Sequence, residues 1–352
     1  MIKKHIELSS RIASKKREIV EQVYKLRIKE NPALLQRYSA ADVDTFHQDC
    51  AYHLDFLSHA IAYDSKAVFD DYILWVRRLF QHLPVSDESL AVFFRSFADV
   101  VTELTDPDDE HGLKNYLDAS LQLFEEPLPT SVSFLDIDKH TGIVAQQLLD
   151  MLLQGKKDEA SDYIMAEVNA GMPIKECYLD VFQPLQYEIG RMWHAGEISV
   201  GQEHYITAVT QMLMSQFYPL IMNHPSNGKR IVASCISGEQ HEVGLRMLSD
   251  LMEIAGWDTM FLGANTPLAT VPDSVVKWQA DVLAVSVTLS THLAKLSQLI
   301  GLCRNKLPEL KIIVGGYPFN LDKSLWLKVG ADGYAENALQ AIDVANGFVS
   351  RS

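Results

Sequence analysis

A histidine in a glycine-containing turn is the residue of this chain best placed to bind a metal. His241 lies in the segment Ser234–Gly244, between a strand pattern and a helix pattern. Ligands of open α/β sheets bind outside the carboxyl ends of the strands, and a neutral imidazole is a good nitrogen donor to a metal. Glu239 could hold the other ring nitrogen. By itself, the turn is also compatible with a hydrogen-bonded loop histidine.

Two small-residue motifs follow at the ends of later predicted strands. Forty-one residues separate Gly244 from Ser286-Val-Thr288, and 26 residues separate Thr288 from Gly315-Gly316. Small side chains at these positions would open a slot along the sheet for a flat group. The spacing therefore favours a ligand site over a lone loop histidine.

The three motifs resemble the cobalamin-binding signature of methionine synthase, base-off mutases and corrinoid proteins, usually written Asp-x-His-x-x-Gly, Ser-x-Leu and Gly-Gly. The resemblance implies that His241 is the lower axial cobalt ligand and that the nucleotide tail is buried beside the serine and glycine motifs. Glu239 replaces the usual aspartate and Thr288 the usual leucine; neither change removes the ligand or the slot. The predicted cofactor contacts in this domain are Glu239, Gln240, His241, Val243, Gly244, Ser286, Thr288, Ser290, Gly315, Gly316 and Tyr317.

A second motif lies upstream, where nine residues separate Trp193 from Glu203-His204. A turn between two helices would bring all three side chains to one cavity. The motif resembles that of the light-sensing cobalamin repressors of the CarH type. The resemblance implies that Trp193 covers the upper axial adenosyl group, that Glu203 hydrogen-bonds it, and that His204 becomes the upper cobalt ligand after photolysis. The alternative is a bundle-core tryptophan with a Glu-His pair near a turn.

The surrounding patterns predict the elements that position these residues. Four helix patterns over 137–153, 157–170, 174–193 and 198–221 predict a four-helix bundle at 134–224 that caps the cobalamin, with Pro184 kinking or ending the first half of its helix. Alternating strands and helices over 229–352 predict a Rossmann-like, doubly wound parallel sheet. The segment Leu262–Pro267 is compatible with a loop at the corrin rim or with an ordinary β-to-α turn.

Residues 1–128 predict an all-helical domain, because five stripes of apolar residues repeat at helical spacing before the linker 126–130. Histidines, aromatic residues and arginines lie beside the stripes, and we select His53 and Trp75 as candidate contacts of a tetrapyrrole. A solvated face with ordinary histidines explains the same residues. Biliverdin, haem and no ligand at all remain open for this domain.

Composition limits the function further. The formal net charge of -15 argues against unaided binding to nucleic acid or anionic membrane. A signal-peptide core and a run of about 20 apolar residues are both lacking, so we expect a cytoplasmic protein. The four dispersed cysteines predict small buried hydrophobic residues rather than a metal site or disulfides.

The whole layout resembles the photocobilins, photoreceptors that combine cobalamin with biliverdin. The resemblance implies a non-enzymatic light sensor in which photolysis of adenosylcobalamin changes the conformation and the homo-oligomeric state, and thereby signals to an output protein that the sequence does not identify. The CarH type carries a winged-helix DNA reader, which the acidic helical domain replaces here. A corrinoid protein that carries methyl groups between methyltransferases is the alternative, and a cofactor-free scaffold is a third possibility.

Overall fold

The computed structural model describes residues 2–34, 39–83 and 85–349 and divides into two compact units. We call the first the helical unit; it comprises Met1–Leu128 together with Thr288–Ser297 and Tyr317–Gly330. We call the second the bundle–sheet unit; it comprises Pro129–Val287, Gln298–Gly316 and Ala331–Ser352. Two segments that follow strands of the predicted sheet therefore belong with the N-terminal helices.

The helical unit is built on the amphipathic helices that the apolar spacing predicts. These are α1 (Ile2–Glu30), α2 (Ala40–Ala62), α3 (Lys66–Phe80), α4 (Asp87–Thr105) and α5 (Leu113–Gln122). Their apolar faces form one core that includes Ile12, Leu54, Ile73 and Phe97. Ser39 starts α2 with a capping box, which satisfies backbone N–H groups that a helix end otherwise leaves without partners.

The bundle–sheet unit begins with the four-helix bundle that the sequence predicts. Its helices are α6 (His140–Leu153), α7 (Lys157–Asn169), a third helix, and α10 (Val200–Gln216), followed by the short α11 (Tyr218–Ile221). The third helix starts as α8 (Ile174–Glu176), passes through a π-helical turn (Cys177–Phe182) and continues as α9 (Gln183–His194). The interruption falls just before Pro184, which has no N–H group for the regular α-helical ladder.

The sheet has five parallel strands in the order β2-β1-β3-β4-β5, which confirms the doubly wound Rossmann-like fold. The strands are β1 (Arg230–Ile236), β2 (Asp258–Thr266), β3 (Val282–Ser286), β4 (Lys311–Gly315) and β5 (Gly333–Ala335). The helices between and after them are α12 (Val243–Ile254), α13 (Val271–Trp278), α14 (Leu293–Lys306), α15 (Tyr317–Leu321), α16 (Leu325–Val329) and α17 (Ala338–Val349). β1, β3 and β4 are buried along most of their length, as expected for central parallel strands.

Helix α12 joins the bundle to the sheet by contributing to both of their cores. Met247 and Leu251 pack in the core of the bundle, whereas Leu245 and Met252 pack in the core of the sheet. The hydroxyl group of Tyr178, in the π-helical turn, also donates a hydrogen bond of 2.7 Å to Asp250 Oδ2 on α12. The helix that follows the histidine turn is therefore held from two sides.

Two further sequence-based expectations concern side-chain environment and hydropathy. All four cysteines are buried and free, which confirms that they act as small hydrophobic residues. Among the described residues, none of the helices combines the length and the apolar character needed to cross a bilayer.

Candidate functional site

The histidine turn follows β1 directly and is organised by Glu239. Oε1 of this fully buried carboxylate lies 2.5 Å from Nδ1 of His241 and also accepts a 3.1 Å hydrogen bond from the His241 backbone N–H. The His241 side chain is 58% exposed. Since a carboxylate can only accept, Nδ1 carries the proton, which leaves Nε2 as the ring nitrogen that can bind a metal.

Charge around the turn also acts on the imidazole. The hydrogen bond to Glu239 raises the pKa of His241, whereas burial opposes this shift. The charge of Glu203 on the bundle raises the same pKa further. The charge of Glu203 thus contributes to the raised pKa of His241 within the same unit.

On the bundle, the predicted upper-face residues lie at the joint between α9 and α10. Ser199 caps α10 in a capping box with Gln202, and this places Glu203 and His204 in the first turn. Nδ1 of His204 lies 2.5 Å from Glu203 Oε2, and the His204 side chain is 75% exposed. Trp193, near the end of α9, is half-buried and packs against the bundle core.

A network of hydrogen-bonded side chains, which the sequence did not reveal, holds Glu203. Thr207 Oγ1 donates a hydrogen bond of 3.1 Å to Glu203 Oε1 and also lies 3.1 Å from Gln186 Oε1. Gln186 Nε2 in turn donates to Thr210 Oγ1 at 3.0 Å. Thr207 is one helical turn after Glu203, and this i,i+4 spacing is the signal that could have identified it.

The predicted slot lies at the ends of β3 and β4, where Ser286 pairs with Gly315. A Cβ atom on Gly316, whose φ is +105°, would lie 2.0 Å from the Val287 carbonyl oxygen. One on Gly315 would lie 3.1 Å from the Ala335 carbonyl oxygen. Gly316 is thus already required for the close approach of the backbones, independently of any ligand, whereas a Cβ on Gly315 would require only a small shift of its neighbour.

Gly244 differs from these glycines because it borders open space. A Cβ atom there would meet no other atom within 4 Å. Gln240 is exposed, and Val243 packs at the edge of the bundle core. The first turn of α12 therefore has open space beside Gly244.

The remaining predicted tail contacts belong to the helical unit. Ser290 is buried, and its Oγ has no hydrogen-bond partner among the described residues. Thr288 is half-buried, whereas Tyr317 is 50% exposed and donates a hydrogen bond of 2.9 Å to Asp71. A buried hydroxyl group without a partner is costly, so Ser290 stands out in the helical unit, and its role as a tail contact stays a prediction.

His53 and Trp75 lie in different environments within the helical unit. His53 is buried among Phe93, Phe94 and Phe97, with its Nδ1 2.7 Å from the Tyr72 hydroxyl group, and burial lowers its pKa to about 3. Trp75 is 36% exposed and lies parallel to Tyr72, with the ring centroids 6.2 Å apart. His53 is thus a neutral core residue in this structure, and the assignment of either residue to a tetrapyrrole stays a prediction.

The segment predicted as either a corrin-rim loop or a simple turn extends β2 as far as Thr266. Gly263 and Asn265 both have positive φ values, of 76° and 50°. The backbone N–H of Ala264 donates to Glu242, and that of Asn265 donates to the Glu239 carbonyl oxygen. The end of β2 is therefore fastened to the histidine turn, a connection that the sequence did not reveal.

Three family models match separate parts of the chain. Residues 229–343 and residues 144–218 match two models that are both described as a B12 binding domain, and residues 2–123 match the model described as phycobilisome protein. The two B12 matches cover the sheet and most of the bundle, and the third covers the N-terminal helices.

The individual relatives are of two kinds, a transcriptional repressor and a corrinoid protein. The chain is 27% identical over 172 residues to the HTH-type transcriptional repressor CarA of Myxococcus xanthus, covering 49% of this chain and 57% of CarA. It is 29% identical over 115 residues to the dimethylamine corrinoid protein of Methanosarcina barkeri, covering 32% of this chain and 53% of that protein. The chain thus spans just over half the length of these curated relatives.

A solved structure shares the fold. The monomethylamine corrinoid protein of Methanosarcina barkeri superposes with a TM-score of 0.51 at 19% identity, over 58% of this chain and 97% of that one. The exposed imidazole of His241 and the open space at Gly244 fit a cobalamin ligand. The chain therefore contains a cobalamin-binding module, formed by a four-helix bundle and a Rossmann-like parallel sheet.

Proposed function

We propose that this protein is a light sensor that uses adenosylcobalamin as its chromophore. When bound, adenosylcobalamin supplies a cobalt–carbon bond that light can break. The observation that carries the proposal is the group of Trp193, Glu203 and His204 at one helix joint, in the unit that also contains His241. The similarity to the CarA repressor supports it.

Each residue has a distinct task in this proposal. Glu239 would keep the proton on Nδ1 of His241, which leaves Nε2 as the nitrogen that would hold cobalt. Trp193 covers the upper face and excludes water from it. Glu203 accepts hydrogen bonds from the upper axial group, for which it must exchange at least one of its present partners, His204 and Thr207.

His204 is the residue that converts light into a structural change. Its exposed imidazole rests on Glu203 in this structure and would turn to the vacated upper position. Because His204 is part of α10, the movement of its imidazole would displace that helix. The bundle would then shift against α12, and the association of subunits would change. An altered homo-oligomer would then act on an output protein.

We further propose that a bilin, biliverdin in the first instance, binds to the helical unit as a second chromophore. The match of residues 2–123 to phycobilisome proteins supports this assignment, as the name of that family indicates. Trp75 is the better of the two candidate contacts, since its ring is partly exposed whereas His53 is enclosed.

A corrinoid methyl carrier is the second candidate function. The similarity to the dimethylamine corrinoid protein favours it, and so does the fold shared with the monomethylamine corrinoid protein. A methyl carrier needs the lower ligand and the tail slot, but it does not need His204 as an upper ligand. The first 128 residues would also have no evident task in it.

Absorption spectra separate the two functions. The full chain, loaded with adenosylcobalamin and biliverdin in darkness, should change its spectrum permanently after green light, and the product should show imidazoles on both sides of cobalt. His204→Ala should lose the second imidazole. His140→Ala is the matched control, because His140 is an exposed bundle histidine that also pairs with a glutamate, Glu167 at 3.0 Å. A bis-imidazole product in His204→Ala would refute the proposal, and a spectrum that cycles only with a methyl donor would favour the carrier.

A further inference from the structure

Glu242, which directly follows the predicted cobalt ligand, contacts two separate elements through its two carboxylate oxygens. Oε2 accepts a hydrogen bond of 2.6 Å from the Ala264 backbone N–H at the end of β2. Oε1 accepts one of 3.2 Å from Gln211 Nε2 on helix α10 of the bundle. A single side chain thus connects the histidine turn, the end of β2 and the bundle.

The end of β2 is shaped to receive this carboxylate. A Cβ atom on Gly263 would lie 2.8 Å from Glu242 Oε2, so a side chain at that position would displace the carboxylate. The next contacts reinforce the junction, since Asn265 N–H donates to the Glu239 carbonyl oxygen at 2.8 Å and Asn265 Oδ1 accepts from Gly238 N–H at 2.8 Å. Three hydrogen bonds therefore join the turn to the end of β2.

The bundle side of the junction lies on the helix that carries the predicted upper ligand. Gln211 is seven residues after His204, which is two helical turns and places both on one face of α10. On the same side, Ser215 Oγ accepts a hydrogen bond of 2.9 Å from Arg246 on α12. Displacement of α10 would thus act on the turn through Gln211 and Glu242.

We propose that Glu242 is a positioning residue that fixes His241 for axial ligation and couples it to the helix of His204. This inference rests on the proposed binding of cobalamin with His241 as lower ligand. Two charge-assisted hydrogen bonds from different elements hold the carboxylate, and they fix the backbone from which the imidazole, oriented by Glu239, projects. The residue itself need not touch cobalt.

The test uses the full chain reconstituted with cob(II)alamin in darkness, without air. In protein labelled with heavy-nitrogen histidine, the axial nitrogen splits the electron spin resonance lines into doublets only where an imidazole is the ligand. We expect Glu242→Ala to bind cob(II)alamin about tenfold more weakly and to lose the doublet in part, since loss of a supporting residue commonly costs that much. Glu242→Gln can still accept from Ala264 and should stay within about twofold of wild type.

Glu253→Ala is the matched control, because Glu253 lies at the other end of α12 and accepts a hydrogen bond from Thr259. It should bind like wild type. Unchanged affinity and doublets in Glu242→Ala, or an equal loss in Glu253→Ala, would overturn the proposal. If Glu242→Ala does not fold, Gln211→Ala replaces it, with about threefold weaker binding expected and unchanged binding overturning the role. Since no light is used, the result stands even if the wild-type protein proves insensitive to illumination.

Discussion

The phenol group of Tyr317 donates a hydrogen bond of 2.9 Å to the Asp71 carboxylate, which lies 246 residues earlier in the chain. Two more contacts run in parallel: Tyr63 and Ser297 join their hydroxyl groups at 2.9 Å, and Lys328 donates to the Asp64 carbonyl oxygen at 2.9 Å. Tyr317 directly follows Gly316. The N-terminal helices therefore hold the segment that begins where the glycine motif of the tail slot ends.

Loss of this hydrogen bond should loosen the helical unit. Tyr317→Phe leaves the half-buried Asp71 carboxylate without its phenol donor, and we expect the free energy of unfolding to fall by about 1 kcal/mol. Urea denaturation followed by circular dichroism measures the change. Tyr218→Phe, at an exposed tyrosine of the other unit, should be neutral. Equal stabilities of Tyr317→Phe and wild type would show that the hydrogen bond contributes nothing.

Gly316→Ala should be among the most damaging small substitutions in the chain. The added Cβ would overlap the Val287 carbonyl oxygen at 2.0 Å in a backbone conformation with φ of +105°, and backbone atoms cannot yield as a flexible side chain can. We expect a loss of about 3 kcal/mol or more in thermal or urea unfolding. Gly301→Ala, in open space on α14, should instead be neutral or gain up to about 1 kcal/mol. A stable, cobalamin-binding Gly316→Ala protein would contradict the close backbone approach.

His53 should make the helical unit sensitive to acid. Burial lowers the pKa of His53 to about 3, so the ring stays neutral in the folded state while an unfolded chain takes up a proton below about 6.5. Stability should therefore decrease as the pH falls from about 6.5 towards 3, by up to about 1.4 kcal/mol per pH unit from this group. His53→Gln cannot titrate and should flatten this slope in urea unfolding measured across the pH range. An unchanged slope would mean that other groups cause the acid sensitivity.

Glu239 should control the protonation of His241 in the protein without cofactor. Its hydrogen bond raises the pKa of His241. The pairing therefore stabilises the folded state below the unfolded-state pKa of about 6.5, and this stabilisation is lost as the pH rises through the folded-state pKa. In Glu239→Gln the proton NMR titration of His241 should move to lower pH. Because a metal binds only the neutral imidazole, the variant should also extend ligation to more acidic conditions. A titration curve identical to that of wild type would contradict the assigned contact.

Much of the fold followed from local patterns. Some signals determine structure over only a few residues: apolar residues three and four apart along α2, the run of strand-forming residues before Ser286, and the glycine turn after β1. These signals predicted the helices, the bundle and the parallel sheet. The sequence motifs also predicted cobalamin as the ligand, and the B12 matches over the bundle and the sheet agree with that prediction. The motif residues themselves remain predictions until a cofactor is bound.

Contacts between distant side chains were not predictable in this way. Nothing local to Asp71 indicates that its partner is Tyr317, and nothing local to Glu242 indicates Ala264 and Gln211. The same holds for His53, because a histidine beside an apolar stripe can face either solvent or a core. Only the packing of aromatic rings around His53 shows that its side chain lies in the core.

The π-helical turn at Cys177–Phe182 affects how the later residues of the same helix are rotated about the helix axis. Its hydrogen-bonded loops are one residue longer than those of an α-helix. If the same residues were wound as a regular α-helix, the downstream half would be rotated by about 100°. The direction in which Trp193 points from the helix axis is therefore set in part by a turn that begins sixteen residues earlier in the chain.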